Sequence, residues 1–271
     1  MIWWAAVVVL ALMAGGWFSG RYGWWRQAVP DSCPRILMYH MVSVSRPGAA
    51  FNKLRVRPEM FERQVRWLAQ QGYHFALMSE VAACSSLPKK TVAITFDDGY
   101  EDNYLNAHPV LEKYRAYATL YLVEDRFDRD WSVNKKSHHN SGELMAEKKL
   151  SDDQVAAMLA SGCWELGGHT RTHANLSRLD ASAKREEIAA SKEALEKRFN
   201  TRLSSFAYPF GIYSQDDVVA AREAGFDTAV TTVEGIDRVI GDAPYELKRI
   251  KISGKDNWLA FRLRLRSGRR G

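Results

Sequence analysis

The sequence predicts an α/β fold, with parallel strands covered by helices. After Pro30, short runs rich in β-branched and aromatic residues alternate with amphipathic helical patterns. Repeated βα units of this kind pair their strands in parallel, as a closed barrel or an open doubly wound sheet. The composition agrees: 271 residues, 46% hydrophobic and 26% charged, can bury a core unaided and are not disordered.

At the N terminus, Ile2 to Phe18 carries no charge, and Trp3, Trp4, Trp17, Trp24 and Trp25 flank it. Amphipathic rings in those places favour a membrane interface. A cleaved signal peptide is the competing assignment, but such peptides open with basic residues and none precedes this run. The expectation is an uncleaved transmembrane anchor helix over residues 1–26, in contact with membrane lipid. Arg21, Arg26 and Arg35 follow the run. Their bias leans the main domain to the cytoplasmic face of a bacterial-type inner membrane, with the periplasmic face as the alternative.

The main domain, residues 27–254, then reads in order. Ile36 to His40 is a buried strand. A helix follows through Met60, Phe61, Val65, Trp67 and Leu68 and stops at Gly72. Thr91 to Phe96 is the clearest strand, followed by a helix through Val110, Leu111 and Tyr114 and a strand from Ala118 to Val123. Ser151 and Gln154 form a capping-box pattern that opens the next helix. Cys163 to Leu166 is strand-like, Ala181 to Phe199 a charged helix, Ser205 to Tyr208 a strand, Ser214 to Ala224 a helix and Thr228 to Thr232 a strand. The polar stretch Glu124 to Lys149, which carries His138 and His139, interrupts the pattern as a long loop or lid.

The last segment, residues 255–271, holds six Lys/Arg against one Asp, so most of the formal net charge of +6 sits in a basic tail. An anionic leaflet or plain solvent suits such a tail. Nothing else in the chain offers a basic face, which argues against nucleic acid as a partner. Cys33, Cys84 and Cys163 are widely spaced, which excludes a disulfide framework and a cysteine-built zinc site. No feature reports oligomeric state.

The residues that carry chemistry fall at strand ends, where α/β folds gather their functional groups. Asp97 and Asp98 close the strand that begins at Thr91, and adjacent carboxylates are costly unless a cation or proton separates them. Gly99 lets the chain turn there. His169 and His173 follow the flexible pair Gly167-Gly168; four apart, they share one face of a helical turn and can reach one ion. Two histidines and a carboxylate leave positions open for water and substrate. Tyr208-Pro209-Phe210-Gly211 ends another strand and can aim a backbone N–H at a ligand oxygen.

Taken together and in this order, Thr95-Phe96-Asp97-Asp98-Gly99, His169-Thr170-Arg171-Thr172-His173 and Ala207-Tyr208-Pro209-Phe210-Gly211 resemble the polysaccharide deacetylases of the NodB-homology type, carbohydrate esterase family 4. The likeness covers roughly Arg35 to Ser253. It implies a distorted (β/α) barrel and metal-dependent removal of N-acetyl groups from the N-acetylglucosamine-type sugars of a surface polysaccharide, lipopolysaccharide or lipid-linked glycan. Asp97 is then the general base, and Asp98, His169 and His173 hold a divalent metal. Zinc suits the imidazoles best, with cobalt, nickel or iron as alternatives. The Phe210 N–H is the oxyanion donor.

Met38-Tyr39-His40-Met41-Val42 resembles the poly-N-acetylglucosamine subgroup, in which that histidine lies in the active site. Two departures stand out. The arginine that many members place before the third motif's proline is absent. The Leu-x-His element that supplies a general acid is matched only by Leu247-Lys248-Arg249-Ile250. The acid is left unassigned: His40 is the best candidate, as an acid or an orienting group, with protonated Asp97 as the alternative donor. Two other functions fit the same likeness: an inactive glycan-binding membrane protein, and a deformylase of a lipid-linked amino sugar.

Overall fold

Period-two alternation sorts the strand residues onto the two sides of a closed sheet. The computed structural model describes residues 2–83, 86–135 and 141–269. Its strands are β1 (Arg35–Tyr39), β2 (Met41–Val42), β3 (Arg55–Val56), β4 (His74–Phe75), β5 (Thr91–Asp98), β6 (Ala118–Leu122), β7 (Trp164–Gly168), β8 (Ser205–Ala207), β9 (Thr228–Glu234) and β10 (Leu247–Lys251). The main sheet runs β1-β10-β9-β8-β7-β6-β5-β4, and β1 also pairs with β5. That second pairing closes β1 and β5 to β10 into a parallel barrel, so the closed alternative holds over the open sheet.

The barrel is distorted where its ladders are short. β7 meets β8 through one pair, Gly168 with Phe206, and the β9–β10 register shifts between Leu247 and Arg249. β4 pairs with Thr91 and Val92, at the start of the β5 edge that β6 occupies from Ile94 onward.

Inside the barrel, Ile36, Ala93, Tyr121, Ala207, Val230 and Leu247 pack together with Met78 and Val81. Alternate residues such as Leu37, Ile94, Leu120 and Phe206 face the surrounding helices. Gly167 sits where a Cβ would lie 2.5 Å from the Tyr121 ring, so this residue is fixed by close packing and is not the flexible link expected from sequence.

The N-terminal helix α1 covers Ile2–Tyr22, and its Val7, Leu10, Leu12 and Met13 are exposed. Among the described residues no helix is long and apolar enough to cross a membrane. The expected transmembrane span is therefore unsupported among the described residues.

Helix α2 (Pro58–Gln70) starts with proline in its first turn and buries Phe61, Val65 and Leu68, a spacing that puts them on one face. Each such side chain contributes about 1.5–3 kcal/mol when fully buried. Helix α3 (Met78–Ala83) supplies the two side chains packed with the barrel interior, and α4 (His108–Tyr114) buries Leu111 on the outside.

The basic C-terminal segment is not a free tail. Trp258–Ser267 forms a helix that buries Phe261, Arg264 and Leu265, and Trp258 and Phe261 meet the Trp67 ring edge-on at 5.6 and 6.2 Å. Arg264 donates to Asp256 at 2.7 Å, and Arg35 Nε donates to the Leu265 carbonyl at 3.3 Å. This segment thus completes the outer layer.

Candidate active site

β5 carries the two acids. Alternation places Asp97 with Ala93 and Thr95 on the inner side of the barrel, while Asp98 occupies an outward position. A left-handed φ of 78° at Asp98, followed by 81° at Gly99, breaks the strand there. Both carboxylates are buried at the C-terminal mouth, at 3% and 4% exposure.

Asp97 is held by an arginine that the motifs did not reveal. Arg249 of β10 is fully buried and grips it bidentately, Nη1 to Oδ1 at 2.6 Å and Nη2 to Oδ2 at 2.8 Å. Its Nε donates to the Thr231 carbonyl, and Nη1 also reaches Thr95 Oγ1. Burial pushes the Asp97 carboxyl up, but the Arg249 charge and hydrogen bonds, with His40, leave it below its ordinary value. His40 Nε2 stands 4.0 Å from Asp97 Oδ2. The third motif carries no arginine before its proline, and the arginine beside Asp97 comes instead from another strand. Its signal was a charged residue two places from Leu247, in step with the inner side of β10.

Asp98, His169 and His173 form a second cluster, with ligand atoms all within 4.8 Å of one another. Asp98 Oδ1 lies 3.3 Å from His169 Nε2 and 3.2 Å from His173 Nε2. His169 Nδ1 donates to the Ala207 carbonyl at 2.7 Å. In the neutral ring that bond leaves the Nε2 lone pair facing the cluster. Burial holds His173 below the ordinary histidine value despite Asp98. Burial also works against the Asp98 charge, but the two histidines keep its carboxyl well below the ordinary range. Two imidazoles beside a carboxylate are a donor set that fits a borderline divalent cation such as zinc.

The two histidines do not lie on a helical turn, as their spacing had suggested. Residues 169–173 form a loop after β7, with left-handed φ at Thr170 (64°) and His173 (55°). Glu187 pins it: its carboxylate accepts from Thr172 N at 2.9 Å and Thr172 Oγ1 at 2.8 Å, and its carbonyl accepts from Arg171 N. Glu187 falls in a π turn, Glu186–Ala190, inside what sequence read as one continuous helix. A second π turn, Asn103–Ala107, follows the acids, and Asn103 Nδ2 donates to the His40 carbonyl at 2.8 Å. π turns of this kind recur at functional sites.

Phe210 has φ 59°, left-handed again, inside the 3-10 turn Pro209–Gly211. Its ring meets the His173 ring edge-on at 4.4 Å, and Trp131 packs on His173 at 4.9 Å. Trp131, buried within the stretch expected as a lid, is a second residue that sequence did not single out. That lid is clamped at its C-terminal end, where the buried Arg55 donates to Glu143 at 3.1 Å and Glu147 at 2.8 Å. Lys149 Nζ sits 4.8 Å from both the Tyr100 and Trp131 ring centres. His138 and His139, like Cys84, lie outside the described residues. All six site residues expected from sequence, His40, Asp97, Asp98, His169, His173 and Phe210, line one cleft of about 590 Å³.

Known proteins resemble this chain. The family model for polysaccharide deacetylase matches residues 85–229. The chain is 31% identical over 242 residues to YxkH of Bacillus subtilis (strain 168), a protein assigned to the polysaccharide deacetylases, covering 88% of this chain and 77% of that one. It is 28% identical over 181 residues to a poly-beta-1,6-N-acetyl-D-glucosamine N-deacetylase of Staphylococcus aureus (strain MRSA252), covering 63% of this chain and 58% of that protein. The Streptococcus pyogenes deacetylase PplD, solved in complex with acetate, superimposes with a TM-score of 0.70 at 28% identity, covering 84% of this chain and 95% of that one. With its closed barrel and both acid–histidine elements at the mouth, this chain belongs to the polysaccharide deacetylase family.

Proposed function

We propose that the protein is a metal-dependent N-deacetylase that removes acetyl groups from N-acetylglucosamine-type sugars of a surface or lipid-linked glycan. The observation that carries this reading is the pairing, in one cleft, of an arginine-held carboxylate with an acid–bis-histidine cluster. Asp98, His169 and His173 would hold the ion, for which zinc is the best match to the donors. When bound, the ion supplies Lewis-acid polarisation of the acyl carbonyl and a more acidic water.

The remaining steps belong to the chain. Asp97, kept ionised by Arg249, takes the proton of the attacking water as its oxygen adds to the acyl carbon. The Phe210 backbone N–H donates to the oxygen that gains charge in the tetrahedral intermediate. His40, beside Asp97, delivers a proton to the sugar nitrogen as the C–N bond breaks, leaving acetate and a free amine. Exclusion of water by Trp131 and the Phe210 ring strengthens these charge interactions.

Acetate release from N-acetylglucosamine oligomers is the direct test, with zinc, with chelator and with Asp97→Asn. The expected result is release that requires both metal and Asp97, with Asp97→Asn losing at least about 100-fold in turnover while still binding zinc. Near-normal turnover by Asp97→Asn would remove the base from the mechanism.

Segment 1–26 is proposed to attach the enzyme to membrane lipid through the exposed apolar side chains of α1 and the flanking tryptophans, on the cytoplasmic face by the arginine bias. Sedimentation with vesicles should require residues 1–26. A truncated chain that still sediments would assign attachment elsewhere.

A further inference from the structure

The cleft has an uneven charge. Lys53, Lys251 and Lys255 line it together with the acids and histidines of the site. Lys53 belongs to the 3-10 turn before β3, Lys251 ends β10, and Lys255 follows in the next turn. The two turns are packed against each other, since Gly254 N donates to the Lys53 carbonyl at 3.0 Å. Among the described residues, none of these three ammonium groups makes an ion pair. The nearby acids are committed elsewhere, Asp97 to Arg249 and Asp256 to Arg264. Glu234 also lines the cleft and offsets Lys251 in part. Half-buried Lys251 is held below the ordinary lysine value by burial first and then by the charges of Arg249, Lys53 and Arg264. A cleft edge where cations outnumber the acids that face them raises the local concentration of an anion.

The rim also has a position. Lys255 is joined to the end of α1: Arg21 Nη2 donates to the Lys255 carbonyl at 3.2 Å, and Asn257 Nδ2 donates to the Tyr22 hydroxyl at 2.7 Å. The basic edge of the cleft therefore lies at the point where the apolar helix leaves the barrel domain.

We infer that Lys53, Lys251 and Lys255 form an anion subsite, so that the substrate is an N-acetylamino sugar carrying a phosphate ester beside the reacting residue. This rests on the N-deacetylase reading above and narrows it to a phosphate-bearing glycan. The phosphate can come from two sources, a diphosphate that joins the sugar to a lipid or a phosphodiester within a polymer. A neutral N-acetylglucosamine chain gives the three lysines no anion beyond the partial counter-charge of Glu234.

Equilibrium binding to the zinc-loaded Asp97→Asn protein tests the subsite without turnover. N-acetylglucosamine 1-phosphate should bind at least tenfold more tightly than N-acetylglucosamine, and the gain should shrink as salt screens the charges. The gain should vanish in the triple variant Lys53→Met, Lys251→Met, Lys255→Met and persist when the three become arginine. Equal affinity for the two ligands, or a gain indifferent to the methionine changes, overturns the subsite.

Acetate release then separates the two readings. Preference for the phosphate-bearing sugar in kcat/KM, arising in KM, supports the subsite. Equal turnover of neutral and phosphate-bearing sugars refutes it and leaves the N-deacetylase standing. Loss of all metal-dependent release refutes the N-deacetylase itself. To distinguish the sources, a polyprenyl diphosphate N-acetylglucosamine in detergent is compared with a methyl phosphodiester of N-acetylglucosamine. Higher kcat/KM for the first supports a lipid-borne phosphate and equal values a polymer phosphodiester; a disadvantage of both against the neutral sugar overturns the proposal.

Discussion

Arg249 sets the charge state of Asp97, the proposed base. Burial alone drives that carboxyl toward its neutral form, and the bidentate guanidinium reverses the balance. An adjacent arginine typically lowers a carboxyl by about 1–3 units. Arg249→Met keeps much of the volume and removes the charge, so burial then dominates and the Asp97 value rises. In the proposed mechanism the carboxylate is the working form, so activity should be lost as pH falls through that value. The acidic limb of kcat/KM should therefore move to higher pH by about one unit or more. An unmoved limb with a lower kcat would mean that Arg249 only shapes the site. This residue was hard to read because its partner is 152 positions away and only barrel closure brings β10 to β1 and β5. The acids and histidines were legible because costly groups stood together at strand ends.

At the scale of elements, the two loops that carry the histidines and Phe210 owe their shape to neighbours. Local spacing suggested a helical turn at residues 169–173, but Glu187 competes for the backbone N–H groups of Arg171 and Thr172 that such a turn would use. The π turn puts that glutamate in place, and a periodicity read over Ala181 to Phe199 passes through it without a sign. The strands and capping boxes were legible for the opposite reason: their determinants are local, as at Ser151 and Gln154. Glu187→Gln retains the shape but weakens the charge-assisted bonds to Thr172. Since partners of this kind typically contribute about 10–100-fold in metal affinity, zinc affinity should fall by about tenfold. Turnover at saturating zinc should recover most of the parent value. A loss of turnover that zinc does not rescue would place Glu187 in a different role.

Across the whole molecule, stability and chemistry meet at the barrel mouth. Of the eight non-glycine residues with left-handed backbone among the described residues, Asp98, His173 and Phe210 line this cleft and Thr170 lies in the loop that carries its histidines. Each costs on the order of 1–3 kcal/mol unless its surroundings compensate, and the barrel core below supplies the rigidity that holds them. The ion proposed for the acid–histidine cluster would bind the folded chain and not the unfolded one. At a free concentration about 100 times its Kd it would stabilise the fold by about 2.7 kcal/mol. For a chain of this size about 1 kcal/mol moves Tm by roughly 2–4 °C, so zinc loading should raise Tm by about 5–10 °C. Chelator should reverse the rise, and His173→Ala should abolish it by removing a ligand. Asp97→Asn, which leaves the ligand set intact, should keep it. That pattern separates the residues that hold the ion from the one that moves the proton. A Tm indifferent to zinc in the parent protein would dissolve the distinction, because the cluster would then be a buried group of an acid and two histidines that holds no ion.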